Sequence, residues 1–406
     1  MHYIDYFYLF LPGKPARLPA ANRLVPVRNA GLPMLQAIGG QLLGFSADNC
    51  LAELAGAHFP EGMKPARWIS PGPHWVAMLA AILLAAANPS VSGAPAGATL
   101  TAPAPEISRD PQGEVVIKGD SAGVVVHYTL DGQDPTRDAG AYLAPVHFPY
   151  RGTVKARTFQ GDQPVGQVVA ATFEALEGRA RPHSALLPLT QNRDWRSYDW
   201  ADRHRAVTAA VQQRKPQLVF IGDSITHFWG GEPLAKTGRA QEVWQKYYGK
   251  RNAVNLGFGW DRTENVLWRL QHGELDGAEP KVVVLLIGTN NLDLNTPEEI
   301  AEGIRAVCGE LHARLPKTRI LLLGILPRSP RPDARRAKLA EVNARSARLD
   351  GQDLVTYLDI GAKFVSADGS IAKEIMNDYL HPTAQGYTVF AEAIEPTLAK
   401  LLGEVR

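Results

Sequence analysis

Five nearly continuous apolar runs constrain this chain more than any other feature. They are "QLVFIG", "AVNLGF", "KVVVLLIG", "RILLLGIL" and "LVTYLDI", spread between residues 217 and 360. A run without polar alternation suits a strand buried on both faces, as in a parallel sheet covered by helices. Helix-like segments lie between them, including "PEEIAEGIRAVCGELHARL" and "DARRAKLAEVNARSARL", and "TAQGYTVFAEAIEPTLAKLL" closes the chain. The first of these opens on Pro297 and acidic residues, as helix N-termini prefer. The alternation predicts an α/β domain over residues 194–406: a three-layer α/β/α sandwich on a five-stranded parallel sheet. Ligands of such sheets bind outside the carboxyl ends of the strands.

The preceding sequence is of another kind. Residues 101–176 carry short β-branched or aromatic runs, "EVVIKG", "GVVVHYTL", "GTVKARTFQ" and "QVVAATFEA", separated by turn signals such as Asp131-Gly132 and Gly161-Asp162. A small antiparallel β-sandwich is expected there, joined to the α/β domain by a linker at 177–193. Residues 63–98 run from Lys64 and Arg67 through an apolar stretch at Trp75–Ala87 to small residues, the order of a secretory signal peptide. The apolar stretch is shorter than the roughly 20 residues a membrane span needs, so no stable span is expected after signal removal. The expectation is therefore a secreted or periplasmic protein starting at Met63, with residues 1–62 an overextended reading frame of no assigned fold.

Composition removes several function classes. Lysine and arginine number 43 against 41 acidic residues, with no dense basic block, so no nucleic-acid partner is indicated. The two cysteines, Cys50 and Cys308, cannot build a disulfide framework. Neither sits in a metal-ligand spacing, and no metal or organic cofactor is expected.

The first apolar run ends abruptly in Gly222-Asp223-Ser224, where a helix could begin. A serine at such a turn is commonly only a helix cap. The neighbouring turns change that balance. "NLGFGWDRT" follows the second run and "LIGTNNLD" the third, while "NDYLHPTAQGY" places Asp378 and His381 three residues apart before the last helix. That interval lets a carboxylate reach one imidazole nitrogen while the other faces a serine. "GDSIT" lacks the second glycine of a G-x-S-x-G elbow, so an α/β-hydrolase is not indicated.

These four blocks, in this order, resemble the SGNH (GDSL) hydrolase family. They are Gly222-Asp223-Ser224, Asn255 through Asp261, Gly288-Thr289-Asn290-Asn291 and Asp378-x-x-His381. The runs "NLGFGWDRTENVLWRL" and "GTNN" look nearest to the branch of the platelet-activating-factor acetylhydrolase catalytic subunits. The resemblance implies a flavodoxin-like sheet and a division of labour: Ser224 as nucleophile, His381 as acid and base, Asp378 orienting the imidazole. It further implies an oxyanion hole made by the Ser224 N–H, a second-block N–H and the Asn290 amide. Many relatives carry glycine where this chain has Trp260, so whether the Gly259 or the Trp260 N–H points inward stays open. In the β-domain, Tyr128, Thr129, Asp131, Gly132, Pro135 and Thr136 resemble the signature of the chitobiase/β-hexosaminidase C-terminal-type domain, a companion of carbohydrate-active enzymes. A spacer without ligand is as good a reading of it.

Other titratable residues read as structural. His227 is expected on the helix after Ser224, facing away or lining the pocket, and Asp261 and Arg262 as braces of the second-block loop. Asp223 is not expected to be the catalytic acid. His272 and His312 lack partner motifs, and Cys308 reads as core. The expectation is a secreted serine esterase removing short acyl groups, chiefly acetyl, from a small acyl-ester substrate, with an acylated polysaccharide or oligosaccharide favoured. Two alternatives stay open: a lipid acetylhydrolase or lysophospholipase-like esterase, and a carbohydrate-binding protein with an inactive hydrolase domain.

Overall fold

The computed structural model describes residues 103–119 and 121–404. The expectations for the signal-like segment and residues 1–62 lie outside the described residues. The first part of the described chain is all β. Strands β1 (Glu106–Arg109), β2 (Glu114–Lys118) and β5 (Val146–His147) form one antiparallel sheet. Strands β3 (Val125–Thr129), β4 (Gly140–Ala141), β6 (Gly152–Gln160), β7 (Gln163–Pro164) and β8 (Val169–Phe173) form another, with β3, β7 and β8 all pairing β6. Alternate residues of the two sheets, among them Val115, Ile117, Val126, Tyr128, Val154 and Ala156, meet in one small core. That is the two-sided patterning of a sandwich.

The second part alternates helix and strand. Its elements are α1 (Trp200–Arg214), β9 (Leu218–Gly222), α2 (Ser224–His227), α3 (Gln241–Tyr248), β10 (Ala253–Gly257) and α4 (Thr263–Gln271). They continue with β11 (Val282–Leu286), α5 (Pro297–Arg314), β12 (Arg319–Leu323), α6 (Ala334–Ser346), β13 (Val355–Leu358) and α7 (Ala384–Leu402). All five apolar runs form strands of one parallel sheet in the order β10-β9-β11-β12-β13. Period-two alternation splits each strand between two cores. Val219 and Ile221 pack with α1, α4, α5 and α6, whereas Leu218 and Phe220 pack with α3 and α7. The result is the expected three-layer α/β/α sandwich. Helix α5 begins where Pro297 suggested, with Thr296 and Glu299 exchanging backbone hydrogen bonds as a capping box.

This strand order decides where the motifs meet. Gly222 pairs with Gly257 on one side and Leu286 on the other, so the turn after β9 lies between the turns after β10 and β11. The order reverses here, and such a reversal opens a crevice at the carboxyl edge. Among the described residues, no helix is long and apolar enough to cross a membrane.

Candidate active site

The turn after β9 is set by Asp223. Its carboxylate accepts the Ile225 N–H at 2.9 Å and caps α2, leaving Ser224 as the first helical residue rather than the cap. The structural role that competed for Ser224 is therefore filled by its neighbour. Burial pushes the Asp223 carboxyl up to about 7, opposed by its hydrogen bond from Ile225. Helix α2 is a single turn, so a summed helix dipole is small and its free N–H groups matter more.

His381 and Asp378 reach Ser224 from the loop before α7. His381 Nε2 lies 2.8 Å from Ser224 Oγ, and Nδ1 lies 2.8 Å from Asp378 Oδ2. Asp378 Oδ1 accepts the Leu380 and His381 backbone N–H groups at 3.1 and 2.7 Å, which fixes the carboxylate within its own turn. Tyr379 makes that turn in the left-handed region, φ 60°. Burial lowers the His381 pKa below the ordinary histidine value, with Asp378 opposing and the Arg239 and Arg328 charges assisting. Burial works the other way on Asp378, but hydrogen bonds from His381 outweigh it and hold the carboxyl below its usual range. Phe228 packs on His381, and Arg239 lies over Phe228 with a nitrogen 3.5 Å from Asp378 Oδ2.

The turn after β10 bears on the choice left open between Gly259 and Trp260. The Gly259 N–H donates to His227 Nδ1 at 3.1 Å. Burial lowers the His227 pKa to about 2, so the ring is neutral, and the facing Gly259 N–H makes Nδ1 its acceptor nitrogen. Trp260 follows with φ 65°, the conformation glycine usually supplies, and its side chain is half-exposed. Close packing of α2 on β10 requires a glycine in this turn: a Cβ on Gly257 would stand 2.2 Å from the His227 backbone nitrogen. Asn255 locks the two together, donating to the Thr226 and Gly230 carbonyls at 2.7 and 2.6 Å.

Asn290, after β11, donates from Nδ2 to the Asp261 carbonyl at 2.9 Å. An amide carries two hydrogens, so this bond orients the side chain and leaves the second free. Asp261 and Arg262 brace the loop as expected, Arg262 through Nε to the Asn290 carbonyl at 2.9 Å. Asp261 is fully buried and accepts from Arg269, Trp200 and Gln191. His272 stacks on Trp268 away from this edge, and Cys308 is buried in the core. Among the described residues, no group of three or more His, Cys, Asp or Glu is arranged to hold a metal.

Sequence reasoning missed several contributors. Gln191, Arg193 and Tyr198 donate to the carbonyls of Gly259 and Trp260, and Arg203 to those of Asn255 and Gly257. The one available signal was the polar run Thr190–Arg193 beside two tryptophans, which has no period and so read as linker.

Residues 220–389 match the family model described as GDSL-like Lipase/Acylhydrolase. The human platelet-activating factor acetylhydrolase IB subunit alpha1 is 36% identical over 206 residues, covering 50% of this chain and 85% of that protein. This chain belongs to the GDSL-like lipase/acylhydrolase family. It is a carboxylic ester hydrolase by that membership. The rat subunit alpha2 is 35% identical, with 50% of this chain and 86% of that protein covered. Among solved structures, an acetylxylan esterase variant from Geobacillus stearothermophilus is 19% identical over 47% of this chain and 95% of that one, with a TM-score of 0.38. A second model, described as Fn3 associated, matches residues 115–173, a description that differs from the chitobiase-type one expected there. The two matched ranges do not overlap.

Proposed function

We propose that this chain is a serine esterase of short acyl groups, with Ser224 as nucleophile, His381 as general base and acid, and Asp378 as the group that orients His381. The observation carrying this reading is the continuous relay Asp378–His381–Ser224, both links at 2.8 Å. Asp378 fixes the tautomer with a proton on Nδ1, so Nε2 accepts the Ser224 proton. Ser224 Oγ then bonds the ester carbonyl carbon, and the carbonyl π pair moves onto oxygen. We assign to that oxygen three donors for which no further acceptor is found among the described residues: the Ser224 N–H, the Trp260 N–H and the second Asn290 Nδ2 hydrogen. Collapse of the tetrahedral species expels the alkoxide, which takes the proton from His381. Water repeats the sequence on the acyl-serine and returns the free enzyme.

The half-exposed Trp260 beside this edge supports a short acyl group, acetyl foremost, and so does the acetylhydrolase activity in the names of the relatives. An acylated carbohydrate leaving group is favoured by the sugar-enzyme resemblance of the β-region, and a lipid ester by the relatives' named substrate. Export through residues 63–98 fits a substrate outside the cytoplasm, and N-terminal sequencing of the mature protein tests it: a terminus before Met63 refutes it. Hydrolysis of p-nitrophenyl acetate, butyrate and octanoate, beside Ser224→Ala, tests the chemistry. Activity that is lost in the variant and falls with chain length supports the reading; equal rates in both proteins refute it.

A further inference from the structure

The segment joining the β-region to the α/β region has two chemically distinct sides. Extended chain points successive side chains in opposite directions. Thr190 Oγ1 donates to the Ala141 carbonyl at 2.7 Å and Asn192 Nδ2 to the Arg137 carbonyl at 3.0 Å, both in the β-region. The residues between and after them face the other way. Gln191 Nε2 donates to the Gly259 carbonyl at 2.9 Å and to Asp261 Oδ1 at 3.0 Å. Arg193 Nη2 donates to the Trp260 carbonyl at 2.9 Å and to Asn265 Oδ1 at 2.7 Å. Thr190, Gln191 and Asn192 are all buried.

The β-region is shaped to receive this segment. Ala139 forms a β-bridge with Gln191, the Asn192 N–H donates to the Asp138 carbonyl at 3.1 Å, and Trp195 donates to the Asp138 carboxylate at 2.9 Å. Gly140 permits the approach, since a Cβ there would stand 2.2 Å from Thr190 Oγ1.

We propose that Gln191 and Arg193 are positioning residues of the oxyanion hole, held in register by the β-region, which makes that region a working part of the esterase rather than a spacer. Trp260 gives the reason. A left-handed tryptophan relaxes toward extended or helical backbone unless its surroundings oppose it. Rotation of the Gly259–Trp260 peptide would turn the Trp260 N–H away from the site, and rotation of the Trp260–Asp261 peptide would break the Asp261 N–H bond to the Phe258 carbonyl that closes the turn. Gln191 and Arg193 hold the carbonyls of Gly259 and Trp260, and those two peptides are the ones that must not rotate.

This inference rests on the hydrolytic reading above, and the experiment separates the two. Steady-state hydrolysis of p-nitrophenyl acetate and thermal unfolding are measured on the full chain and on Ser224→Ala, Gln191→Leu, Arg193→Ala and Arg193→Lys. Losing an oxyanion donor costs about 10²–10³-fold in turnover, so misplacing one is expected to lower kcat about 10-fold or more in Gln191→Leu and Arg193→Ala, with KM little changed. Arg193→Lys keeps one donor and recovers part of kcat, which rescues the result if Arg193→Ala does not fold. Wild-type kcat in Gln191→Leu and Arg193→Lys, with Ser224→Ala inactive, overturns the inference and leaves the hydrolytic reading intact. Undiminished hydrolysis by Ser224→Ala overturns the reading itself. The double variant Thr190→Val/Asn192→Ala touches no residue of the site and is expected to lower kcat as well. Wild-type kcat in it overturns the part assigned to the β-region.

Discussion

His227 Nδ1 accepts the Gly259 N–H at 3.1 Å, so a histidine three residues from Ser224 holds the backbone of the turn after β10. Its ring also meets Tyr198 edge-on, with centroids 4.8 Å apart. His227→Phe keeps an aromatic ring there and removes the acceptor. A buried N–H left unpaired costs about 1–3 kcal/mol, so urea unfolding should show a loss of that size. Turnover should fall as well, by less than the ~10²-fold of deleting a donor outright. An unchanged kcat would show that the Gly259 anchor is dispensable.

Under the proposed mechanism the pH dependence follows from His381. Its pKa is lowered chiefly by burial, and only the neutral ring can accept the Ser224 proton. Activity is therefore full above the folded-state pKa and lost as pH falls through it. The acid limb of kcat/KM should lie below the ordinary value of about 6.5. Arg239 is one of the charges lowering it, so Arg239→Gln should move the limb to higher pH. His227, at about 2, adds no second limb in the working range. A profile of kcat/KM between pH 4 and 8 on both proteins checks the sign.

Much of this site was legible because its parts leave marks in side-chain sequence. Unbroken apolar runs identified β9 to β13, and the glycine- and asparagine-rich turns at their ends located Ser224, Trp260 and Asn290. Asp378 and His381 were legible because their spacing alone can close a hydrogen bond. Gln191, Arg193, Tyr198 and Arg203 were not, since each reaches this turn through main-chain carbonyls, which carry no residue identity. The choice between the Gly259 and Trp260 N–H groups stayed open for the same reason: it depends on a peptide rotation, and here the Gly259 N–H is held by His227. The one-turn length of α2 was also hidden, because "SITHFW" has ordinary helical composition.

Trp260 combines a left-handed backbone with a half-exposed ring at the carboxyl edge. Trp260→Gly keeps the N–H, removes a conformational cost of about 1–2 kcal/mol and takes away the ring. If the ring limits the acyl group, kcat/KM for butyrate and octanoate should rise relative to acetate. An unchanged ratio would move the chain-length limit elsewhere.

Arg269 is fully buried and joins two equally buried carboxylates, through Nε to Asp261 at 2.9 Å and through Nη1 to Glu274. Burial disfavours its charge, but the two carboxylates outweigh that and hold the guanidinium protonated. Its Cζ also lies over the Phe258 ring, 4.0 Å from the centroid. Arg269→Met fills similar volume but leaves two buried acids without a counter-charge, which costs about 3–5 kcal/mol in comparable sites. Arg269→Lys should also be poor, because a point charge cannot span both carboxylates as the planar fork does. The consequence extends to the site, since the Asp261 carbonyl is the acceptor that orients Asn290. Urea unfolding of Arg269→Met should show the stability loss, and kcat measured at a temperature where the variant is still folded should fall with it. Full turnover in folded Arg269→Met would separate the buried charge cluster from the oxyanion hole and leave it a role in stability alone.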